Sequence, residues 1–168
     1  MFRWLLAIYV SVVLWLAVAL GNVALFAVSP ADHWPVLETI EGLQTASLIL
    51  IALVLHGINR RSRQSALVTV VGILAMLLDV VVSFGFASEL LTFGNGQIAV
   101  LGSTLGLVGI CVWLFTANVL AWRGQALPRK LALLGMAAAI TVTLLYPVWS
   151  LGLAGILRRQ ARATSGSR

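Results

Sequence analysis

The sequence is poor in the residue types on which most enzymes and disulfide-stabilised domains depend. Its 168 residues include one cysteine, two histidines, four prolines and five acidic residues, and charged residues of both signs make up only 10%. A single cysteine excludes an internal disulfide and any site that needs several thiolates. Because Cys111 lies within an apolar stretch, we interpret it as an unreactive buried thiol.

Motifs that would name a reaction are also missing. The chain contains no G-x-S-x-G, H-E-x-x-H, phosphate-binding loop or twin-cysteine redox pattern. His33 precedes the second apolar run and His56 lies near the end of it, so they fall on opposite faces of the membrane and cannot ligate a haem together. These absences predict no cofactor and no metal, and they favour a protein that is not an enzyme.

Long apolar runs are what the sequence does contain. Apolar residues make up 61% of the chain and its mean hydropathy is +1.04, whereas soluble domains are about half apolar. The runs cover residues 4–28, 37–58, 66–87, 98–122 and 131–157. Each has about the 20 residues that an α-helix needs to cross ~30 Å of hydrocarbon. The pattern predicts an all-α, polytopic integral membrane protein: one bundle of five transmembrane helices within residues 1–157.

Small residues and one proline give the runs further features. Gly102 and Gly106, four residues apart, form with Gly109 a stripe that lets another helix approach closely. Gly135 and Ala139 form a second stripe in the fifth run. We expect these stripes to pack within the chain, with dimerisation as the alternative. Pro147, two-thirds along the fifth run, predicts a kink there.

The net charge of +6 comes from eleven basic residues, ten of them arginine. They lie in loops and at chain ends rather than on one face, which argues against nucleic-acid binding and for contact with anionic lipid headgroups. The lipid bilayer is therefore the first predicted partner. The arginine-rich, alanine-rich composition is typical of a GC-rich bacterial genome, and we predict a bacterial cytoplasmic membrane.

Five crossings place the N-terminus, the Arg60 loop and the Arg123 loop on one side, which the positive-inside rule makes cytoplasmic. The basic tail at 158–168, which we expect to be flexible, then lies outside, against that rule. In the alternative, the fifth run bends at Pro147 and re-enters. We disfavour it because this run is too short for two full crossings at ~20 residues each.

All five acidic residues fall on the predicted outer side, and Asp79 is the most informative of them. It lies about 10 Å inside the third run at 1.5 Å per residue, where no basic residue can pair with it. An intramembrane acid of this kind is expected to be protonated, hydrogen-bonded or bound to a cation. Neighbouring helices bring further polar side chains to this depth. The candidate proton or cation site consists of Glu38, Glu41, Gln44, Asp79 and Ser83.

Simpler interpretations of these residues stay open. A neutral Asp79 could hold helices together, and Glu38 and Glu41, which share a helix face with Thr45, could sit at the headgroup level. A metal site that adds His33 is a weaker alternative, because the spacing is not diagnostic.

Three functions are compatible with this architecture. The first is an accessory or assembly subunit of a larger membrane complex, with another membrane protein or a second copy as partner. The second is a small oligomeric transporter or channel that uses Asp79 and Glu41. The third is an intramembrane enzyme built around the outer acids. We prefer the first because the chain is short and carries small-residue stripes.

Overall fold

The computed structural model describes residues 2–28, 34–59, 63–87, 96–141 and 145–165. Within these ranges the regular elements are all α-helices. They are α1 (Phe2–Val28), α2 (Trp34–Ile58), α3 (Arg63–Ala87), α4 (Gly96–Arg123), α5 (Arg129–Ile140) and α6 (Tyr146–Ser165). The predicted all-α fold is confirmed, and α1 to α4 match the first four apolar runs to within a few residues.

Four of the described helices are long and apolar enough to cross a membrane. These stretches are Trp4–Gly21, Glu38–Ile58, Gln64–Gly85 and Thr104–Arg123, one in each of α1 to α4. Pro35 lies in the first turn of α2, where its missing N–H leaves no hydrogen bond unmade. The chain is therefore an integral membrane protein by the length and composition of these helices.

The prediction of five spanning helices is wrong, because the fifth run forms two helices. α5 has 12 residues, about 18 Å at 1.5 Å per residue, too short for ~30 Å of hydrocarbon. Its last turn closes on Thr141, whose N–H and Oγ1 both donate to the carbonyl of Ala137 at 3.0 Å. Pro147 cannot continue a helix across this point, because it has no N–H and crowds the preceding turn. It instead occupies the first turn of α6, so the predicted kink is a complete break.

The second half of this run turns back along the first. A Cβ atom on Gly152 of α6 would lie 2.5 Å from Leu131, at the start of α5, so the two helices form an antiparallel hairpin. Farther along α6, the guanidinium of Arg158 lies 5.4 Å from the ring centroid of Tyr9, near the start of α1. The predicted placement of the tail opposite the N-terminus is therefore wrong: α6 returns to the end where α1 begins.

The six helices close into a ring. Each contacts its neighbour in the sequence, α6 contacts α1, and α2 also touches α4 across the centre. The core is apolar, and its largest fully buried side chains are Trp149, Ile8, Ile51, Leu55, Met76 and Leu153. We call the end where α1 begins and α2 and α4 finish the basic end, and the opposite one the acidic end.

Candidate functional site

Asp79 lies in a seam between three helices near the acidic end. Thr45 of α2 donates its Oγ1 hydrogen to Asp79 Oδ2 at 2.7 Å. On the other side, α4 comes so close that a Cβ atom on Gly106 would lie 2.8 Å from the Cβ of Asp79. The carboxyl group thus has a hydrogen-bond donor and a packed glycine backbone beside it.

The predicted neighbours of Asp79 are placed as follows. The hydrogen bond comes from Thr45 rather than from Gln44 or Ser83. Ser83 is buried one turn from Asp79 on α3, and Gln44 is half-buried, with its backbone carbonyl accepting from Ser47 Oγ at 2.6 Å. Thr45 could have been identified from the sequence, because it shares the helix face of Glu38 and Glu41.

Two more carboxyl groups stand near Asp79. Glu38 lies close enough to Glu41 and to Asp79 for their carboxylates to repel one another. Glu38 and Glu41 are half-buried on α2, one turn apart. Three acids in one electrostatic neighbourhood can hold a shared proton or attract a cation.

Other predicted members of the acidic side lie outside the described residues, namely Asp32, His33 and Glu89. In the part of the chain that the structure describes, no group of three or more histidine, cysteine, aspartate or glutamate side chains is arranged to hold a metal ion.

The glycine stripe of α4 packs against α3. Cβ atoms on Gly102, Gly106 and Gly109 would meet Val82, Asp79 and Ala75, each closer than 3.0 Å. Substituting these glycines would push α3 and α4 apart. The stripe thus makes contacts within the chain, and it brings α4 against Asp79.

A buried polar seam joins the hairpin to the rest of the bundle. Tyr146 and Ser11 share a hydrogen bond of 2.5 Å between their hydroxyl oxygens, and Trp149 Nε1 donates to Asn118 Oδ1 at 3.1 Å. Asn118 also donates from Nδ2 to the carbonyl of Leu114 at 2.8 Å. Gly135 of α5 fits directly against the Asn118 amide, since a Cβ there would clash with Oδ1. Ala139, in the same predicted stripe, is buried.

Sequence reasoning missed this seam. Its one available signal was Asn118, a polar residue inside an otherwise apolar run. Such residues commonly join helices by hydrogen bonds in membranes.

Two clefts open at the basic end. The larger, of about 760 Å³, lies between Trp4 of α1, the end of α2 at His56 to Ile58, the residues after α4 and Leu157 of α6. The smaller, of about 640 Å³, includes Arg123, Gln125 and Arg129. Gln125 and Ala126 line both clefts, so the two adjoin.

Fold and sites together define a small α-helical membrane protein with oppositely charged ends. The chain matches no protein-family model, no curated protein and no solved structure.

Proposed function

We propose that this protein is an accessory or assembly subunit of a larger membrane complex, seated in a bacterial cytoplasmic membrane. The partner is another membrane protein that lays a helix along the part of α1 nearest the acidic end. The observation that carries the proposal is the change in burial along α1.

The buried part of α1 ends abruptly. Ala7, Ile8, Ser11 and Val12 are buried, whereas no described side chain between residues 13 and 24 is. The reason is the hairpin: α6 begins at Tyr146, which bonds to Ser11, so among the described helices neither α5 nor α6 runs beside the rest of α1. In the ring of described helices, α1 therefore has a short hairpin beside it rather than a helix of full length, and we call the exposed part of α1 its bare half.

The bare half of α1 carries small residues that suit a helix partner. Ala17 and Ala24 are exposed and Gly21, on the edge of the same face, is half-buried. Small side chains allow close approach of two helix backbones, which is the main source of helix association in lipid. Lipid chains alone require no such surface.

The surroundings of Asp79 support a packing role over a transport path. Its carboxyl is bonded to Thr45 and packed on Gly106, an arrangement that stabilises a seam. The two clefts described above lie at the other end of the bundle.

The orientation follows from charge. The described basic side chains lie at the end where α1 begins, and the described acids Glu38, Glu41 and Asp79 lie at or toward the other. Under the positive-inside rule the basic end is cytoplasmic, with both termini on that side. Because α6 returns to the basic end, Arg158 and Arg159 face the cytoplasm. The basic tail then obeys the positive-inside rule, which it would break if the chain crossed five times.

Native mass spectrometry of the protein extracted gently from its own membranes tests the proposal. We expect a stable complex with another membrane protein, lost in Ala17→Leu, which places bulk on the bare face of α1. Ala66→Leu is the matched control, since Ala66 is exposed on α3, and it should retain the partner. A monomer or homo-oligomer in all three preparations would contradict the accessory role.

Proton or cation transport is the second candidate function. The proximity of Glu38 to both Glu41 and Asp79 favours it, because a cation or a proton would relieve the repulsion between these carboxylates. Flux into liposomes that is lost in Asp79→Asn, with folding intact, would establish transport.

A further inference from the structure

The basic end carries positive charge that the described chain does not neutralise. Its described basic side chains are Arg123, Arg129, Lys130, Arg158 and Arg159. None of them is paired with a carboxylate in the described ranges, where the acids lie at or toward the opposite end. Charge of this kind at a membrane surface attracts anions from outside the chain, above all lipid phosphates.

The larger cleft at this end has the lining that an amphiphile requires. Leu53, Val54 and Leu157 form an apolar wall, whereas His56 and Gln125 are polar. Trp4 stands at its edge and is 40% exposed, as expected of an aromatic residue at the lipid–water boundary. A small inorganic ion would leave the apolar wall uncovered.

The adjoining cleft supplies the anion-binding groups. Arg123 and Arg129 both line it. The guanidinium of Arg129 lies 5.6 Å from the ring centroid of Trp122, a cation–π contact that orients it while leaving its N–H edge available. Guanidinium groups bind phosphate oxygens through paired hydrogen bonds.

The inner part of the larger cleft favours hydroxyl groups over a phosphate. α2 ends there at Ile58, so its last carbonyls carry partial negative charge. His56 Nδ1 is buried and has no hydrogen-bond partner within the described ranges. Hydroxyls can bond to both kinds of group, whereas a phosphate would be repelled by the carbonyls.

From this arrangement we propose that the two clefts form one binding site for an anionic glycerophospholipid with a polyol headgroup, such as phosphatidylglycerol. The lipid phosphate binds Arg123 and Arg129, and the headgroup hydroxyls point toward His56. The glycerol backbone and upper acyl chains cover Leu53 and Leu157. The lipid comes from the leaflet that meets the basic end.

Lipid retention measured by native mass spectrometry tests this site. Full-length protein in mild detergent is titrated with phosphatidylglycerol and, separately, with phosphatidylcholine of the same acyl chains. We expect one phosphatidylglycerol per chain to be retained preferentially. Arg123 and Arg129 each donate charge-assisted hydrogen bonds to the lipid phosphate, so Arg123→Gln/Arg129→Gln should lower this preference on the order of 100-fold.

A charge-matched double variant separates the site from general attraction. Lys130→Gln/Arg159→Gln removes the same charge from the same end, but neither residue lines a cleft. It should keep most of the preference. His56→Phe should lower retention of phosphatidylglycerol more than that of phosphatidic acid, which has no headgroup hydroxyls. Circular dichroism of each variant shows that it is folded before titration.

Two results would overturn the proposal. One is an equal loss of lipid preference in the two double variants, which would show that net charge at this end, and not the clefts, determines the preference. The other concerns the source of the phosphate: if glycerol 3-phosphate raises the melting temperature of lipid-stripped protein as much as phosphatidylglycerol does, the ligand is a soluble phosphate ester.

Discussion

The indole N–H of Trp149 donates to the side-chain oxygen of Asn118, 3.1 Å away and across the boundary between α6 and α4. Both residues are fully buried, at 0% exposure. The bond lies in the half of the bundle nearer the basic end, because Asn118 is little more than one turn from the end of α4. It joins the hairpin to α4, one of the four described helices that are long and apolar enough to span a membrane.

Replacing Trp149 with phenylalanine should destabilise the bundle. The change keeps an aromatic ring but leaves Asn118 Oδ1 without its donor, and buried hydrogen bonds in membrane proteins contribute about 0.6 and up to about 1.7 kcal/mol. Unfolding in a titration of denaturing detergent gives the change in free energy. Trp122→Phe is the control, because Trp122 is 39% exposed. An equal loss of unfolding free energy in both variants would show that the Trp149–Asn118 hydrogen bond does not stabilise the bundle.

Gly135 should tolerate no larger side chain. A Cβ atom at this position would clash with Asn118 Oδ1, so Gly135→Ala must move either α5 or the Asn118 amide. Overpacking of this kind costs about 1–3 kcal/mol. Gly155→Ala, in open space on α6, should be neutral or slightly stabilising, because alanine favours helix more than glycine does. Melting temperatures of the two variants in one detergent give the comparison, and a stable Gly135→Ala would contradict the packing described.

Most of the fold could be predicted from hydropathy, and the hairpin could not. Four runs are predominantly apolar and long enough to span, so hydropathy and length together assign them to the bilayer. The fifth passes the same test, yet its outcome depends on Pro147 together with tertiary contacts of Tyr146 and Trp149. Hydropathy contains no information on those contacts.

The candidate site shows the same division. Asp79 is visible in the sequence as an acid inside an apolar run, and its proximity to α2 follows from a short α2–α3 connection. The choice of Thr45 over Gln44 as its donor depends on how α2 and α3 are rotated about their axes, which the sequence pattern does not determine.

Reporter fusions should place both ends of the chain in the cytoplasm. A fluorescent protein fused after residue 168 should be bright, and alkaline phosphatase at the same point inactive, because α6 returns to the basic end. Phosphatase fused after Val28, where α1 ends, should be active and serves as the control. An active phosphatase at the C-terminus together with a dark fluorescent fusion would contradict the returning hairpin.

Asp79→Asn should separate the packing role of this residue from a role in transport. Asparagine keeps an oxygen that accepts from Thr45 and has nearly the same volume, so the seam against Gly106 should survive with an unchanged melting temperature. Thr45→Val, in contrast, leaves Asp79 without that donor and should cost on the order of 1 kcal/mol. If the protein is an accessory subunit, the Asp79→Asn variant should retain its partner in native mass spectrometry. Its proton and sodium flux in liposomes should equal that of the wild type. If wild-type liposomes conduct and the folded Asp79→Asn protein does not, then the carboxyl group takes part in transport, and the accessory role is wrong for this residue.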